Sequence, residues 1–316
     1  MKKVILGSTG MEVSPLIFGS LPMGPLQAGR SPRDGGRLIR YALERGINMI
    51  DTAELYENFG HIREALDGYR GRCFLASKTH ASDAETARRH VERALRELAV
   101  DHLDVVHVHA ARVADPIVER RSVIDALLQM REEGKIAHVG LSTHSICAVR
   151  KVLESPDIAV VHPLINRRGM GILDGTTEEM AAAIAEVAVA GKGVYAMKAL
   201  AGGNLIGEAR MSLGFVRGLT GVHGVAVGML SEQEVDANIA LFSDAEFDED
   251  QWRLLEGGQR HLKIMERFCK GCGACVPACT NFALDIVNGK ARVDEQRCIL
   301  CGYCAAACPE FIIRVV

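Results

Sequence analysis

The feature that most constrains this chain of 316 residues is a cysteine pattern that occurs twice near the C-terminal end. Eight of the ten cysteines lie between residues 269 and 308, in two runs with the spacing Cys-x2-Cys-x2-Cys-x3-Cys. The second run follows the first after 29 residues, and Phe282 recurs at the same offset as Phe311. We interpret the tail as an internal duplication in which each half supplies one group of cysteines.

The rest of the chain indicates that these cysteines bind metal and do not form disulfides. No run approaches the roughly 18 apolar residues of a membrane span, and the start from Met1 to Gly7 lacks the apolar core of a signal peptide. We therefore expect a cytoplasmic protein, and cytoplasmic thiols stay reduced. The remaining two cysteines, Cys73 and Cys147, are expected to be small buried residues.

The spacing of the two runs is the one with which bacterial-type ferredoxins hold two cubane 4Fe-4S clusters. In that arrangement the fourth cysteine of each run ligates the cluster of the other run. Structural zinc is the alternative, but it would leave four of the thiols without a role. The expected ligands are Cys269, Cys272, Cys275 and Cys308 for the first cluster, and Cys298, Cys301, Cys304 and Cys279 for the second.

Size and charge bear on what the clusters do. Residues 263–316 cannot build a large core, so metal ligation is expected to hold them folded, and the clusters could be structural staples. This tail has seven Lys/Arg and five Asp/Glu and lacks the strongly acidic face of a diffusing electron carrier, which places its partner within or beside the same chain. The whole chain has a net charge of −3, so we expect no nucleic-acid or membrane partner.

Ahead of the tail, short apolar runs alternate with amphipathic stretches, which is typical of repeated βα units. Eight such units in about 250 residues predict a (β/α)8 TIM barrel over residues 1–262, followed by a small α+β ferredoxin-like domain over 263–316. A hairpin from Val4 to Val13 is expected to cap the barrel floor. The runs are 16–18, 48–50, 73–75, 103–108, 136–141, 158–165, 194–197 and 222–227; predicted helices include 83–98, 120–133, 177–190 and 231–241, with caps at Ser82, Thr177 and Ser231.

Polar residues stand at the carboxyl ends of three consecutive predicted strands, where enzymes of this fold keep their chemistry. They are Asp51, Lys78 and His109, and Tyr56 lies five residues after Asp51. A nearby ammonium lowers the pKa of a phenol from about 10, and such a phenol can protonate a carbonyl oxygen while hydride arrives at carbon. His107 shares the strand face of His109, and we expect it to be buried and hydrogen-bonded.

Several segments resemble the aldo-keto reductases. The segment Asp51-Thr52-Ala53-Glu54-Leu55-Tyr56 is similar to the DTAxxY motif of that family, and residues 103–109 and 134–142 are similar to its fourth and fifth strands. The opening 6–14 also resembles the family, and the resemblance covers residues 1–241. With its tail, the chain is similar to the branch of the family that is fused to a ferredoxin.

The resemblance implies an oxidoreductase that reduces a small carbonyl compound or oxidises an alcohol, with NADP(H) or NAD(H) extended across the barrel mouth. It implies that Tyr56 is the general acid, that Lys78 tunes it with Asp51 as partner, and that His109 orients the carbonyl. The nucleotide contacts that it implies are Gly19, Ser20, Ser142, Asn166, Lys198, Gly202, Gly228, Ser231 and Asn238.

Two departures from the family concern the ligands. Gly228 and Glu234 stand where NADPH-preferring members often carry Lys and Arg, so the nucleotide could be NADH. Arg167 and Arg168 could receive an anionic substrate or form a solvated pair. The aromatic residues that often wall the substrate pocket are missing after His109 and after Gly19, so we expect a wider and less aromatic pocket.

Three functions are compatible with the sequence. In the first, the barrel is a reductase and the clusters are structural or sensing. In the second, the clusters transfer electrons between the barrel and a redox protein; hydride then has to be divided into single electrons, for which a flavin is expected although no motif assigns one. In the third, the chain is a redox-sensing interaction subunit without turnover, which the complete set of Asp51, Tyr56, Lys78 and His109 disfavours.

Overall fold

A computed structural model describes residues 1–316, and it opens with a two-stranded hairpin. Strands β1 (Val4–Ile5) and β2 (Glu12–Val13) pair antiparallel. Gly7, between them, has a left-handed φ of 53°, and a Cβ there would lie 2.3 Å from the backbone nitrogen of Gly193. Only glycine fits this approach, and the hairpin closes the floor of the following barrel as predicted.

Eight parallel strands form a closed barrel, which confirms the predicted TIM fold. The last strand pairs with both the first and the seventh, and this closes the ring. Every predicted apolar run is one of these strands. They are β3 (Leu16–Gly19), β4 (Met49–Asp51), β5 (Phe74–Thr79), β6 (Leu103–His109), β7 (Ile136–Thr143), β8 (Ile158–Pro163), β9 (Gly193–Ala196) and β10 (Gly224–Gly228).

Helices alternate with the strands and cover the barrel. Two predicted caps are one residue from the real ones: Asp83 and Thr176 cap their helices, in place of Ser82 and Thr177. Each cap side chain accepts a backbone N–H three residues on, and Ser231 caps as predicted. The helices are α1 (Pro32–Glu44), α2 (Phe59–Leu66), α3 (Ala84–Leu98), α4 (Pro116–Glu119), α5 (Arg121–Glu132), α6 (Ile146–Lys151), α7 (Thr177–Val189), α8 (Ala209–Arg217), α9 (Glu232–Phe242) and α10 (Glu249–Glu256). None of them has the length and apolar character needed to cross a membrane.

The strand residues alternate between two cores. In β3, Leu16 and Phe18 pack against the helices, whereas Ile17 packs inside the barrel. In β4, Met49 is inside, and the period of two therefore points Asp51 into the barrel at its carboxyl end. The inward-facing side chains are therefore polar at the carboxyl ends of the strands and apolar deeper in the barrel.

The tail repeats its structure as well as its sequence. Leu284 pairs with Val293. In the equivalent pair, Ile313 lies 29 residues after Leu284 and its partner Ile264 lies 29 residues before Val293. The elements are β11 (Leu262–Ile264), α11 (Cys275–Ala278), β12 (Leu284–Val287), β13 (Lys290–Val293), α12 (Tyr303–Ala307) and β14 (Ile313–Val315). Because β11 belongs to this repeat, we propose that the domain boundary falls beside residue 262.

The second half of the tail lies across the carboxyl ends of the barrel strands. Ile299 and Cys301 pack with Leu164 and Met197 in one apolar cluster. Gly202 has a left-handed φ of 73°, and a Cβ there would lie 1.8 Å from the carbonyl oxygen of Ile299. The tail therefore forms a roof over the barrel mouth, in backbone contact with the loop after β9.

Candidate active site

A buried ion pair lies at the centre of the barrel mouth. The Nζ of Lys78 donates to Oδ2 of Asp51 at 2.6 Å and to the carbonyl oxygen of Thr52 at 2.8 Å. The side chains of Lys78 and Asp51 are only 1% and 6% exposed. Burial lowers the pKa of Lys78, and the carboxylate of Asp51 opposes that shift. The structure thus brings together the two charged residues that the sequence singled out.

The second oxygen of Asp51 is held by a tyrosine that the sequence reasoning missed. The hydroxyl of Tyr195 donates to Oδ1 of Asp51 at 2.8 Å, and the Nε2 of His107 lies 2.6 Å from that hydroxyl. Because the hydroxyl proton is donated to Asp51, Nε2 of His107 is the donor to Tyr195. The ring of His162 stacks on Tyr195 at 4.1 Å. The buried, hydrogen-bonded state expected for His107 is confirmed.

Strand alternation was the signal for these missed residues. Val160 and Tyr195 point into the barrel interior, and His162 follows Val160 by two positions. A polar side chain at an inward position near the carboxyl end of a strand needs a partner. Marking every second residue of the apolar runs that became β8 and β9 as inward-facing would have selected His162 and Tyr195.

Tyr56 lies in a short turn after β4, beside the ion pair. It is 6% exposed, and the Nζ of Lys78 lies 5.0 Å from the centre of its ring. Burial raises the pKa of Tyr56 well above 10.0, and the neighbouring Tyr303 and Asp51 raise it further. The expectation that Lys78 lowers this pKa is wrong here, because loss of water outweighs the ammonium. Tyr56 is therefore protonated at neutral pH and suited to donate a proton.

His109 ends β6 on the same rim. Its ring lies 3.9 Å from the ring of His80, and burial lowers its pKa well below 6.5, with His80 and His144 adding to the shift. His109 is therefore neutral at pH 7 and can donate an N–H to a carbonyl oxygen without carrying charge.

A large cavity runs from Asp51 and Tyr56 along the barrel mouth to helix α9. Its volume is about 1130 Å³, counted with its open mouth. Lys198, at its wall, has a left-handed φ of 63°, a strained conformation that is common at functional sites. Five of the nine implied nucleotide contacts line this cavity: Gly19, Lys198, Gly202, Gly228 and Asn238.

The other four implied contacts do not line the cavity. Ser231 caps α9, and the hydroxyl of Ser20 donates to the carbonyl oxygen of Asp51 at 2.9 Å. The amide of Asn166 is bound to its own loop, with Nδ2 2.8 Å from the carbonyl oxygen of Met170. Ser142 differs, because its buried hydroxyl has no hydrogen-bond partner. Ser142 is the one of these four whose buried hydroxyl lacks a partner, which leaves it available to a ligand.

The cysteines of the tail surround two separate voids. One is lined by Cys269, Cys272, Cys275 and Cys308; the other is lined by Cys279, Cys298, Cys301 and Cys304. In neither do the thiols converge on a point as the ligands of a single metal ion do. These are the two sets expected from the interleaved spacing, and all-thiolate voids of this kind fit 4Fe-4S clusters.

Backbone N–H groups point at the sulfur atoms. Ala291 and Ala283 donate to the Sγ atoms of Cys269 and Cys279 at 3.3 and 3.2 Å. The N–H groups of Ala291 and Gly271 lower the pKa of Cys269. Such donors stabilise thiolate charge and, around a cluster, set its reduction potential.

The two voids differ in their distance from the barrel. The second lies at the barrel mouth, because Cys301 packs on Leu164 and Met197 and the backbone of Cys298 accepts a hydrogen bond from Asn204 at 2.8 Å. The first opens outward, where Cys272 is exposed. The order is therefore barrel mouth, second void, first void and surface.

Tyr303 is the site residue that most changes the sequence-based view. It lies between Cys301 and Cys304, packs on Tyr56, and its ring is 6.3 Å from that of His109 in an edge-on contact. The tail thus places an aromatic ring beside Tyr56 and His109. The available signal was a mismatch in the duplication, because the equivalent residue in the first half is Ala274.

The structure also decides two expectations about residues at the protein surface. Arg167 and Arg168 both pair with Glu208, so neither is free to receive an anionic substrate. Cys147 is exposed and not buried, because α6 turns its neighbours Ile146 and Ala148 inward instead.

Comparison with known families agrees with both parts of the chain. Residues 15–212 match the Aldo/keto reductase family, and residues 268–312 match the 4Fe-4S dicluster domain. The chain belongs to the aldo-keto reductase family. Its C-terminal part is a 4Fe-4S dicluster domain, so the predicted fusion is confirmed.

Individual relatives are similar over the barrel. L-galactose dehydrogenase of Arabidopsis thaliana is 27% identical over 185 residues, 54% of this chain and 57% of that protein. Aldo-keto reductase YhdN of Bacillus subtilis is 30% identical over 164 residues, 46% of this chain and 48% of that protein. The chain thus spans about half the length of the curated relatives it matches.

A solved structure has the same barrel. A Pseudomonas aeruginosa protein described as an aldo-keto reductase superposes with a TM-score of 0.67 at 27% identity, covering 77% of this chain and 95% of that one. An aldo-keto reductase from Bacillus halodurans gives a TM-score of 0.64 at 24% identity, over 81% and 95% of the two chains.

The assignment of the voids predicts the iron content of variants. Removing one thiol from the second void by Cys304→Ala should lower the iron of anaerobically purified protein by about half, if each void takes one cluster as the spacing predicts. Cys147→Ala, which removes an exposed thiol outside the tail, should keep all of the iron. Metal analysis by mass spectrometry checks this; zinc in place of iron in the unaltered protein would contradict it.

Proposed function

We propose that this protein is an NAD(P)H-dependent carbonyl reductase that also works in reverse as an alcohol dehydrogenase. The observation that carries the proposal is the buried Lys78–Asp51 pair at 2.6 Å beside protonated Tyr56, at one end of the cavity in the barrel mouth. The substrate is a small carbonyl compound. This activity follows the sequence resemblance and agrees with the family of the chain.

The cavity suits an extended dinucleotide. Gly202 and Gly228 line its wall, and the ammonium of Lys198 in the same wall can receive a negatively charged pyrophosphate. Asn238, on α9, also lines this cavity and can contact the adenine. A nicotinamide nucleotide held there would supply a hydride, that is, one proton with two electrons, to the carbonyl carbon.

The side chains of the site supply the proton and stabilise the charge that develops. As the carbonyl π bond breaks, Tyr56 donates its hydroxyl proton to the carbonyl oxygen and later takes a proton from solvent, so the alcohol leaves neutral. The ammonium of Lys78, held by Asp51, stabilises the phenolate that Tyr56 becomes. Neutral His109 donates a hydrogen bond to the carbonyl oxygen and orients it.

The general-acid role predicts both a variant and a pH profile. Tyr56→Phe should lower kcat for carbonyl reduction by about 10² to 10⁴-fold, because the proton donor is lost. The pKa of Tyr56 is raised above 10.0, so its hydroxyl stays protonated from about pH 7 to about pH 9. The pKa of His109 is far below 6.5, so its ring stays neutral over the same range. Steady-state kinetics should therefore show a flat kcat there, with a fall only at higher pH.

Tyr69→Phe is the matched control, since Tyr69 is far from the site and makes only a long hydrogen bond of 3.4 Å to the carbonyl oxygen of Leu43. Its kcat should equal that of the unaltered protein. A Tyr56→Phe variant with full turnover would show that another group donates the proton.

A second function is supported by the order of the voids. We propose that the clusters carry electrons between the barrel and an external one-electron redox protein. Each 4Fe-4S cluster takes one electron, so the two together hold the two electrons that one NAD(P)H releases while its proton goes to solvent. A bound flavin is the class of co-reactant that divides hydride into single electrons. The observation that supports this proposal is that the second void lies at the barrel mouth and the first at the surface, the order that an electron path through the chain requires.

Electron transfer predicts a spectroscopic change without substrate. When NADH or NADPH is added anaerobically to the flavin-reconstituted protein, EPR should show reduced clusters. The Cys304→Ala variant, which lacks the cluster nearest the barrel, should show no reduction of its remaining cluster on the same timescale. Clusters that dithionite reduces but that neither nucleotide reduces would indicate a structural or sensing role.

A further inference from the structure

The two halves of the duplicated tail differ at the positions that face the barrel. Lys270 of the first half is exposed, whereas its equivalent, Ile299, is buried against the barrel. Gly271 of the first half has a φ of 66°, and its equivalent Leu300 keeps the left-handed φ, at 47°. Leucine takes this conformation only against steric resistance, so the surrounding contacts hold it there. The first half also contacts the barrel, through hydrogen bonds from Arg112 to the carbonyl oxygens of Pro277 and Cys279, but it lacks these features of the second half.

Tyr303 is the third of these differences. Its ring packs with Leu26, Ala53 and Tyr56 of the barrel. It also faces His80 and His109 edge-on, with ring centres 6.1 and 6.3 Å apart. The ring therefore covers the proposed proton donor and the proposed carbonyl-orienting residue together.

The backbone next to Tyr303 fixes this position. Gly302 has a φ of 82°, and a Cβ there would lie 2.4 Å from the carbonyl oxygen of Leu26. Cys301 and Cys304 on either side of Tyr303 both line the second void. Ligation of a cluster in that void therefore restrains the chain on both sides of the ring.

The two residues that follow His109 provide no aromatic ring. Ala110 and Ala111 follow His109, and both are buried. We propose that Tyr303, supplied by the iron–sulfur domain, is the specificity-determining wall of the substrate site and limits it to small, unbranched carbonyl compounds. This inference rests on the proposed carbonyl reduction. It also makes substrate selection depend on the second cluster, since that cluster holds the wall in place.

The test compares Tyr303→Ala with Tyr303→Phe in the full-length, iron-loaded protein, with propanal and 2-naphthaldehyde as the small and large probes. Tyr303→Ala should raise the ratio of kcat/KM for 2-naphthaldehyde to that for propanal by about tenfold or more, because space opens at the wall. Tyr303→Phe keeps the ring and should keep the ratio. Phe311→Ala, which removes a 72% exposed ring elsewhere in the same domain, is the matched control and should also keep it.

A second readout does not depend on turnover. Acetylation of Tyr56 by N-acetylimidazole, followed by peptide mass spectrometry, should be several-fold faster in Tyr303→Ala than in the unaltered protein or in Tyr303→Phe. If Tyr303→Ala fails to retain iron, Tyr303→Leu replaces it with the same expectations. An unchanged ratio together with unchanged acetylation in an iron-loaded variant would overturn the proposal.

The two hypotheses fail in different ways. If the unaltered protein reduces neither aldehyde, carbonyl reduction is refuted for these probes, and the acetylation rate alone then decides whether Tyr303 covers Tyr56. If reduction occurs but neither the ratio nor the acetylation rate responds to Tyr303→Ala, only the wall is refuted.

Discussion

The buried ion pair between Lys78 and Asp51 is the interaction on which the barrel site depends. Its members come from adjacent strands and are almost completely removed from water. Removing one partner of such a pair costs about 3–5 kcal/mol, because the other charge stays buried without compensation. Asp51 also accepts a hydrogen bond from Tyr195, so the pair ties β4 and β5 to β9 across the barrel. Tyr56 is placed by the turn that directly follows this anchor.

The iron–sulfur domain completes the site from the other side. Its second half meets the barrel through Ile299, Leu300 and Tyr303, and the close approach at Gly202 leaves no room for a side chain. Burial of Tyr56 therefore depends partly on a residue that lies 247 positions later in the chain. The high pKa of Tyr56 is one consequence of this cover. The surroundings of Tyr56 and the second set of cysteines therefore share contacts through Tyr303.

Most of the fold follows from local patterns. Each apolar run became a strand because a parallel barrel strand is buried on both faces, and the period of two then placed Asp51, Lys78 and His109 inside. The two cysteine sets surround separate voids, as their spacing indicates. The caps were displaced by one residue because Ser82 and Asp83, like Thr176 and Thr177, are adjacent candidates with equal capping chemistry.

The parts of the site that escaped prediction depend on contacts between distant segments. Tyr195 meets Asp51 across the barrel, and no local pattern encodes that pairing. The pKa of Tyr56 was misjudged because desolvation depends on what covers the ring. The resemblance implies that Asn166 contacts the nucleotide, yet its amide donates a hydrogen bond to the carbonyl oxygen of Met170 in its own loop. Tyr303 stands where the first half of the duplication has Ala274, and this difference marks a residue that packs on the barrel. The sequence alone does not say which half places that position against the barrel, so the difference could not be interpreted before the structure was known.

Carbonyl reduction at Tyr56 is tested most directly by following deuterium from NADH or NADPH, deuterated at the nicotinamide C4, into the alcohol formed from propanal. The anaerobically purified protein should place the deuterium on the carbinol carbon, and Tyr56→Phe should form almost no labelled alcohol. Alcohol without deuterium at that carbon, or equal labelling by the two proteins, would contradict hydride transfer assisted by Tyr56.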